Sequence, residues 1–283
     1  MKKIPCDPQI GADIEVFVYN RDNGLVVPCV GLIDGTKDKP FEPKDVTKGF
    51  ALQEDNVMLE YNIPPAQTTR TWMGRFDVAR QMIKDNLPKE LSYIIKPEHK
   101  FLSKELVSPQ AQTIGCEPDF NAYEGGEMRT FAGILGRHRS CGGHIHLGGD
   151  FNCPDFVAAL FAELCIGVQG RAGPNKANTR TEWYGRPGIY RPKPYGIEYR
   201  TPDNKWTDVN DTIHGVGSAA LRLSTWLTTN EAAVIRKAFR AVQWTRVRDY
   251  MVPPTKIARG DHVARDRLRT AIINEAVGAG VPL

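Results

Sequence analysis

The sequence predicts an α+β chain built around a largely antiparallel sheet, and three observations carry that expectation. Four short segments alternate apolar and polar residues with the period of a strand. Five longer segments carry the spacing of amphipathic helices. The two kinds mix as strand, long excursion, strand, helix, strand, helix, strand and then helices, which is not the regular alternation of a parallel sheet. With 283 residues, 41% hydrophobic and 25% charged, the chain can bury a sizeable core and has no compositional sign of disorder. Its 26 glycines and 20 prolines punctuate short elements and do not pool in a linker. Residues 1–283 therefore read as a single domain, with a helical C-terminal part from about residue 208.

Gly11–Tyr19 reads as the first strand and Asn56–Asn62 as the second. Thr69–Asn86 follows as a helix with a threonine start, and Leu87–Asp119 shows no single period. Gly142–Gly148 is the third strand. Asp155–Gln169 is a helix, with Asn152 as candidate cap and Pro154 in its first turn. Tyr195–Thr201 is the fourth strand, and the helices Asn210–Leu227, Glu231–Arg248 and Val263–Ala276 close the chain.

Residues two apart on a strand share a face. In the first strand Ile14, Val16 and Val18 form the apolar face, and Asp13 and Glu15 lie opposite. In the second, Val57, Leu59 and Tyr61 oppose Glu60 and Asn62; in the third, Ile145 and Leu147 oppose His144 and His146. In the fourth, Ile197 and Tyr199 oppose Glu198 and Arg200. A solvated strand face also alternates in this way, but solvated faces favour Thr, Lys, Ser and Gln. Four carboxylates on one sheet face repel each other, so a cation must hold them together. Hard oxygen donors with an imidazole suit Mg²⁺ or Mn²⁺, and residues two apart lie about 6.5–7 Å from each other, so Asp13 and Glu15 reach different ions. A carboxylate-lined basin holding divalent ions is a phosphoryl-transfer device. Arg200, beside Glu198, is placed to stabilise charge on the transferring group.

Other candidates carry weaker signals. Cys141-Gly-Gly-His144-Ile-His146 has zinc-binding residue types, but no further Cys/His cluster supplies a fourth ligand. His146 reads instead as a substrate-facing residue. Lys37 follows a turn-like Asp34-Gly35 without P-loop spacing, and either reaches a substrate carboxylate or phosphate or is simply solvated. Glu117 and Asp119 either hold a substrate amine or, as loop acids, are simply solvated. Arg180, Arg186, Arg191 and Lys193, with Tyr184, Tyr190 and Tyr195, form a stretch able to clamp ATP phosphates or substrate carboxylates. Arg191 is its preferred member.

The net charge of +4 is too mild to name nucleic acid as a partner. Residues 236–270 hold ten Lys/Arg against three Asp, but only Trp244 and Tyr250 interleave them, so solvated helices are the better reading. Met1-Lys2-Lys3 has no apolar stretch behind it, and the longest apolar runs of about ten residues fall short of a membrane span. Six cysteines without a CxxC pair suit a reduced, cytoplasmic protein.

GADIEVFV, NVMLEYN, CGGHIHLGG and YGIEYRTPDNKW, with GLIDGTKDKP, IGCEPDFNAY and YGRPGIYRPKPYG, resemble the phage carboxylate–amine ligases (amidoligase type 2). These are grouped with glutamine synthetase and glutamate–cysteine ligase. The motifs span about Gly11 to Trp206. The resemblance implies a glutamine synthetase-like catalytic domain, with a curved, largely antiparallel sheet forming a funnel and helices on its outer face. It implies ATP- and Mg²⁺-dependent (or Mn²⁺-dependent) joining of a small-molecule or peptide carboxylate to an amine through an acyl-phosphate. Asp13, Glu15, Glu60, His144 and Glu198 then resemble the metal set. Arg200 and Arg191 become catalytic, and both bind nucleotide together with Lys37 and Arg186. His146, Asn62, Glu117, Asp119 and Tyr195 become substrate-binding. Many relatives have Glu in place of Asp13. The alternatives are a metal-dependent amide hydrolase and an inactive phage accessory or binding protein.

Overall fold

A computed structural model describes residues 3–44, 46–113, 119–128, 136–169, 184–252 and 261–283. In chain order its elements are β1 (Gln9–Asn20), β2 (Val26–Val27), β3 (Ala51–Asp55), β4 (Met58–Ala66), α1 (Thr69–Asn86), β5 (Leu91–Ile94) and β6 (Glu98–Lys100). The short helix α2 (Pro109–Gln112), β7 (Asp119–Asn121), β8 (Glu127–Met128), β9 (His138–Ser140), β10 (Gly143–Gly148) and α3 (Asp155–Ala162) follow. α3 runs on as a π-helical segment, Glu163–Val168, before β11 (Ile189–Lys193) and β12 (Gly196–Tyr199). The chain ends on α4 (Asn210–Thr229), α5 (Ala232–Ala241), α6 (Trp244–Met251) and α7 (Asp261–Gly278).

The main sheet runs β3-β4-β1-β10-β12-β11-β7-β8, and its paired strands are antiparallel. β1 is long enough to serve twice: residues 9–16 pair with β4 and β10, and residues 17–20 with β5 and β2. The apolar face of the sheet (Ile14, Val16, Leu59, Ile145, Leu147, Ile197, Tyr199) packs under α1, α3 and α4 in one core. α1 gives that core Trp72, Phe76, Ala79 and Ile83, the one-face spacing of a helix. Thr68 caps α1, its side chain accepting from the Thr71 N–H. Trp72 stacks on Trp206 at 6.0 Å, and a Cβ on Gly217 of α4 would lie 2.3 Å from the Trp72 ring. That glycine lets the two helices approach. The chain is thus α+β with a large, mostly antiparallel sheet, helices on one face and a polar basin on the other.

Four sequence expectations change. The second strand begins at Met58, because Asn56, with φ of 57°, forms a hairpin turn with Val57. That hairpin brings in β3, which the sequence reading left inside the excursion. The expected helix 231–248 is two, because Val242 turns extended and is buried, and Trp244 folds back to stack on Phe239. Pro154 is the cap residue of α3. Asn152 does not cap it: its amide donates to the carbonyls of Thr228 and Asn230. No described helix is long and apolar enough to cross a membrane.

Candidate active site

Strand register gathers the chemistry-bearing residues. Asp13 of β1 lies opposite Asn62 of β4 and His144 of β10, and Glu15 lies opposite Glu60. His146 pairs with Glu198, Glu198 with Arg191, and Glu60 with Gln53. Opposed residues in an antiparallel pair project to the same side, so these side chains form one continuous face. All of them except His146 line a cavity of about 560 Å³ with Lys37, Asp38, Asp55, Tyr184, Lys193 and Arg200. An ordinary solvated strand face is excluded, since Glu15, His144, Glu198 and Arg200 are each less than 5% exposed.

The cavity has an acidic wall and a basic wall. On the acidic side, carboxylate oxygens of Glu15, Asp55 and Glu60 lie within 4.8 Å of one another. Glu15 accepts the Gly142 N–H at 2.6 Å, and Glu60 accepts from the Gln53 amide at 2.8 Å. Burial, then the charges of Asp13, Asp55 and Glu15, hold the Glu60 carboxyl well above the usual carboxylate range; the Gln53 bond opposes this only in part. Lys37 bridges to Asp55 at 3.0 Å. Burial alone would lower the Lys37 pKa, but Asp55, Glu60 and Glu15 raise it above its ordinary value. Three carboxylates offering only oxygen donors and crowded within 4.8 Å are the donor chemistry that Mg²⁺ or Mn²⁺ accepts.

The basic side is built by β11 and β12. Asp119 joins two guanidiniums, with Arg191 Nη2 at 2.9 Å and Arg200 Nε at 3.0 Å. Glu198 takes Lys193 Nζ at 2.9 Å and the Arg200 guanidinium. Burial would raise the Glu198 pKa, but Arg200, His146, His144 and Lys193 together hold it well below the usual range. Arg200 also donates to the Tyr184 hydroxyl and, at 3.1 Å, to His144 Nδ1. Arginine is an obligate donor, so Nδ1 is the acceptor nitrogen and the neutral ring carries its proton on Nε2. Gly142 makes room for that ring: a Cβ there would sit 2.1 Å from His144 Nε2. Gly143 lets Trp206 Nε1 reach its carbonyl at 3.0 Å.

Between the walls, Asp13 accepts from the Asn62 amide at 2.6 Å and lies 2.9 Å from His146 Nε2. His146 stacks on Tyr195, whose hydroxyl lies 2.9 Å from Nδ1. Burial would lower the His146 pKa, but Asp13 and Glu198 outweigh it and raise it. Asp13, His146 and Glu198 form a second group of candidate ligand atoms within 4.8 Å.

The structure therefore brings Asp13, Glu15, Glu60, Asn62, His144, Arg191, Glu198, Arg200 and Lys37 to one cavity. His146 and Tyr195 line a smaller cavity beside it. Asp119 faces the two arginines, so its carboxylate is already engaged with guanidinium groups. Arg186 does not line either cavity; its carbonyl accepts from the Thr201 hydroxyl. Glu117 and Arg180 lie outside the described residues. Asp38, Gln53 and Asp55 are the cavity residues that sequence reasoning did not place there.

A family model described as phage phiEco32-like COOH-NH2 ligase type 2 matches residues 79–246. The match takes in β10, β11 and β12, with His144, His146, Glu198 and Arg200; the acidic wall on β1, β3 and β4 precedes it. Comparison with curated proteins finds no match. Among solved structures, the chain is similar to a bifunctional glutathione synthetase from Pasteurella multocida, at 13% identity and a TM-score of 0.48. That likeness covers 97% of this chain and 45% of the other. The family match spans more than half of the chain, and the protein belongs to the phage phiEco32-like COOH–NH2 ligase type 2 family.

Proposed function

We propose that this protein is an ATP- and divalent-metal-dependent ligase that joins a carboxylate to an amine through an acyl-phosphate. The supporting observation is the division of one cavity into an acidic wall on β1, β3 and β4 and a basic wall on β11 and β12, facing the same space. Phosphoryl transfer needs both: cations that neutralise phosphate oxygens, and guanidinium or ammonium groups that follow the charge as it moves. Glu15, Asp55 and Glu60 are the centre of the cation-holding set, completed across the floor by Asp13, His144 and Glu198. These residues would hold divalent ions, which would supply positive charge against the phosphate oxygens of the nucleotide.

The chain's own residues then divide the work. Arg200 and Arg191 contact the transferring phosphoryl group, held in place by their shared partner Asp119. Lys193 and Lys37 serve the remaining phosphate or carboxylate oxygens from opposite sides. A carboxylate oxygen of the substrate attacks the γ-phosphorus and ADP leaves with the bridging oxygen. The amine nitrogen next attacks the acyl carbon, the carbon–oxygen bond to phosphate breaks, and the proton lost by the amine leaves on the released phosphate. Tyr184, bonded to Arg200, closes one side of the cavity and limits the access of water to the acyl-phosphate.

Incubation with Mg·ATP and libraries of carboxylates and amines tests this reading. ADP formation that requires both a carboxylate and an amine supports the ligase. Cleavage of amides without nucleotide, and no ADP in any combination, would establish the hydrolase instead.

A further inference from the structure

A second cavity, of about 210 Å³, opens on the other side of Asp13 and Asn62, which line both spaces. Its chemistry differs from that of its neighbour. No lysine or arginine lines it; one part of its wall is apolar or bare backbone, from Ile63, Pro64, Pro65 and the glycines of β1 and β10, and the rest is Gln9, Asp13, Asn62, Tyr195 and His146, whose Nε2 lies 2.9 Å from Asp13. It is smaller than the roughly 300–1,000 Å³ of a drug-sized site, which limits its occupant to about the size of an amino acid.

The polar groups on the wall shared by the two cavities call for hydrogen-bond donors. Asp13 is acceptor-only when ionised, so the Asn62 amide must turn its nitrogen towards it, and that bond of 2.6 Å fixes which way the amide points. Asn62 Oδ1 is left as a buried acceptor with no hydrogen-bond partner. A buried acceptor without a donor has lost its water and gained nothing in return, and a bound N–H group removes that penalty. The Asp13 carboxylate adds negative charge at the same place. A carboxylate ligand would find neither a lysine nor an arginine in this cavity, whereas the larger cavity offers it Arg191, Lys193 and Arg200.

We infer that the smaller cavity is the amine subsite, taking a primary amine of amino-acid size or less, with its nitrogen on Asn62 Oδ1 beside Asp13 and its apolar body against Ile63 and Pro64. The inference rests on the ligase reading for the fate of the amine, but not for its binding. It places amine recognition at Asn62 Oδ1 and away from Asp119, where two guanidiniums, those of Arg191 and Arg200, would repel an ammonium group. The amine nitrogen then enters from the side of the acidic floor, next to the space where the acyl-phosphate forms.

Saturation-transfer NMR with ethylammonium and propionate, which match in size and differ in charge, tests the subsite directly. Ethylammonium should bind at least tenfold more tightly than propionate, and Asn62→Leu should weaken it tenfold or more. Pro65 is exposed at the rim, so Pro65→Trp narrows the entrance without touching the core, and it should exclude butylammonium while leaving Mg·ATP binding unchanged. Equal binding of the two ions, no detectable ethylammonium binding, or butylammonium binding unaffected by Pro65→Trp would overturn the inference. Should Asn62→Leu fail to fold, the Pro65→Trp and charge-pair results decide alone. Mg·ATP binding measured on the same samples keeps the two readings apart. Amine binding without nucleotide binding upholds the subsite and removes the ligase, and the reverse result removes the subsite only.

Discussion

Replacing Arg200 by lysine keeps the charge and removes the fork. In the structure the guanidinium spans Asp119 through Nε at 3.0 Å, Glu198 and His144 through Nη1, and the Tyr184 hydroxyl through Nη2. An ammonium has three donors on a single atom and cannot meet partners arranged around a planar group. Loss of one charge-assisted contact to a transferring phosphoryl group costs about 3–4 kcal/mol, or about 10²–10³ in rate. The acidic wall is untouched by the change, so the KM for ATP should rise far less than kcat falls. Steady-state kinetics on purified Arg200→Lys, with metal content and melting temperature measured in parallel, provides the assay. If Arg200 only neutralises Glu198 and Asp119, lysine serves as well. A kcat within about threefold of wild type would refute the role in the transition state.

Glu60→Gln should abolish metal-dependent ATP turnover while leaving the melting temperature unchanged or slightly raised, because burial and three neighbouring acids already disfavour its charge; turnover within tenfold of wild type would remove Glu60 from the cation set. Gly142→Ala should displace the His144 ring, since the new Cβ falls 2.1 Å from Nε2. The expected cost is about 1–3 kcal/mol in denaturant melts, together with a drop in turnover, and an unchanged melt would contradict the packing argument. Glu163, fully buried behind β12, has its pKa raised by burial from 4.5 to about 7, in spite of bonds from Tyr199, Gly188 and Thr201. Its folded pKa exceeds its unfolded one, so its contribution is fully present below about pH 4.5 and is lost as pH rises through about 7. The difference amounts to about 3 kcal/mol. Glu163→Gln should therefore flatten the stability profile between those pH values, and a profile that keeps its slope would assign it to other groups.

The site was legible wherever binary alternation held. Asp13/Glu15, Glu60/Asn62, His144/His146 and Glu198/Arg200 each sit opposite an apolar pair that packs into the helix-covered core, so face assignment followed from period alone. β3 defeated that logic. Its core-facing positions are Leu52 and Glu54, and Glu54 is buried because it caps the N–H groups of Leu32 and Ile33 and accepts from Gln110. A buried acid on the apolar face hides the alternation, and with it Gln53 and Asp55. The helices were legible where one face was apolar, as in α1, whose expected bounds match. The break at Val242–Gln243 was not, because no glycine or proline marks it; the Trp244–Phe239 stack decides it. Residue type suggested that Asp119 would take an amine. Only the tertiary fold shows two arginines against it.

In the proposed function, nucleotide binding depends on cations held by the acidic wall. Calorimetric titration of ATP into the wild-type protein, with Mg²⁺ and then with EDTA, measures this. The account predicts saturable binding with Mg²⁺ that weakens by at least a hundredfold without it. ATP binding of equal strength in both conditions, or none in either, would contradict it.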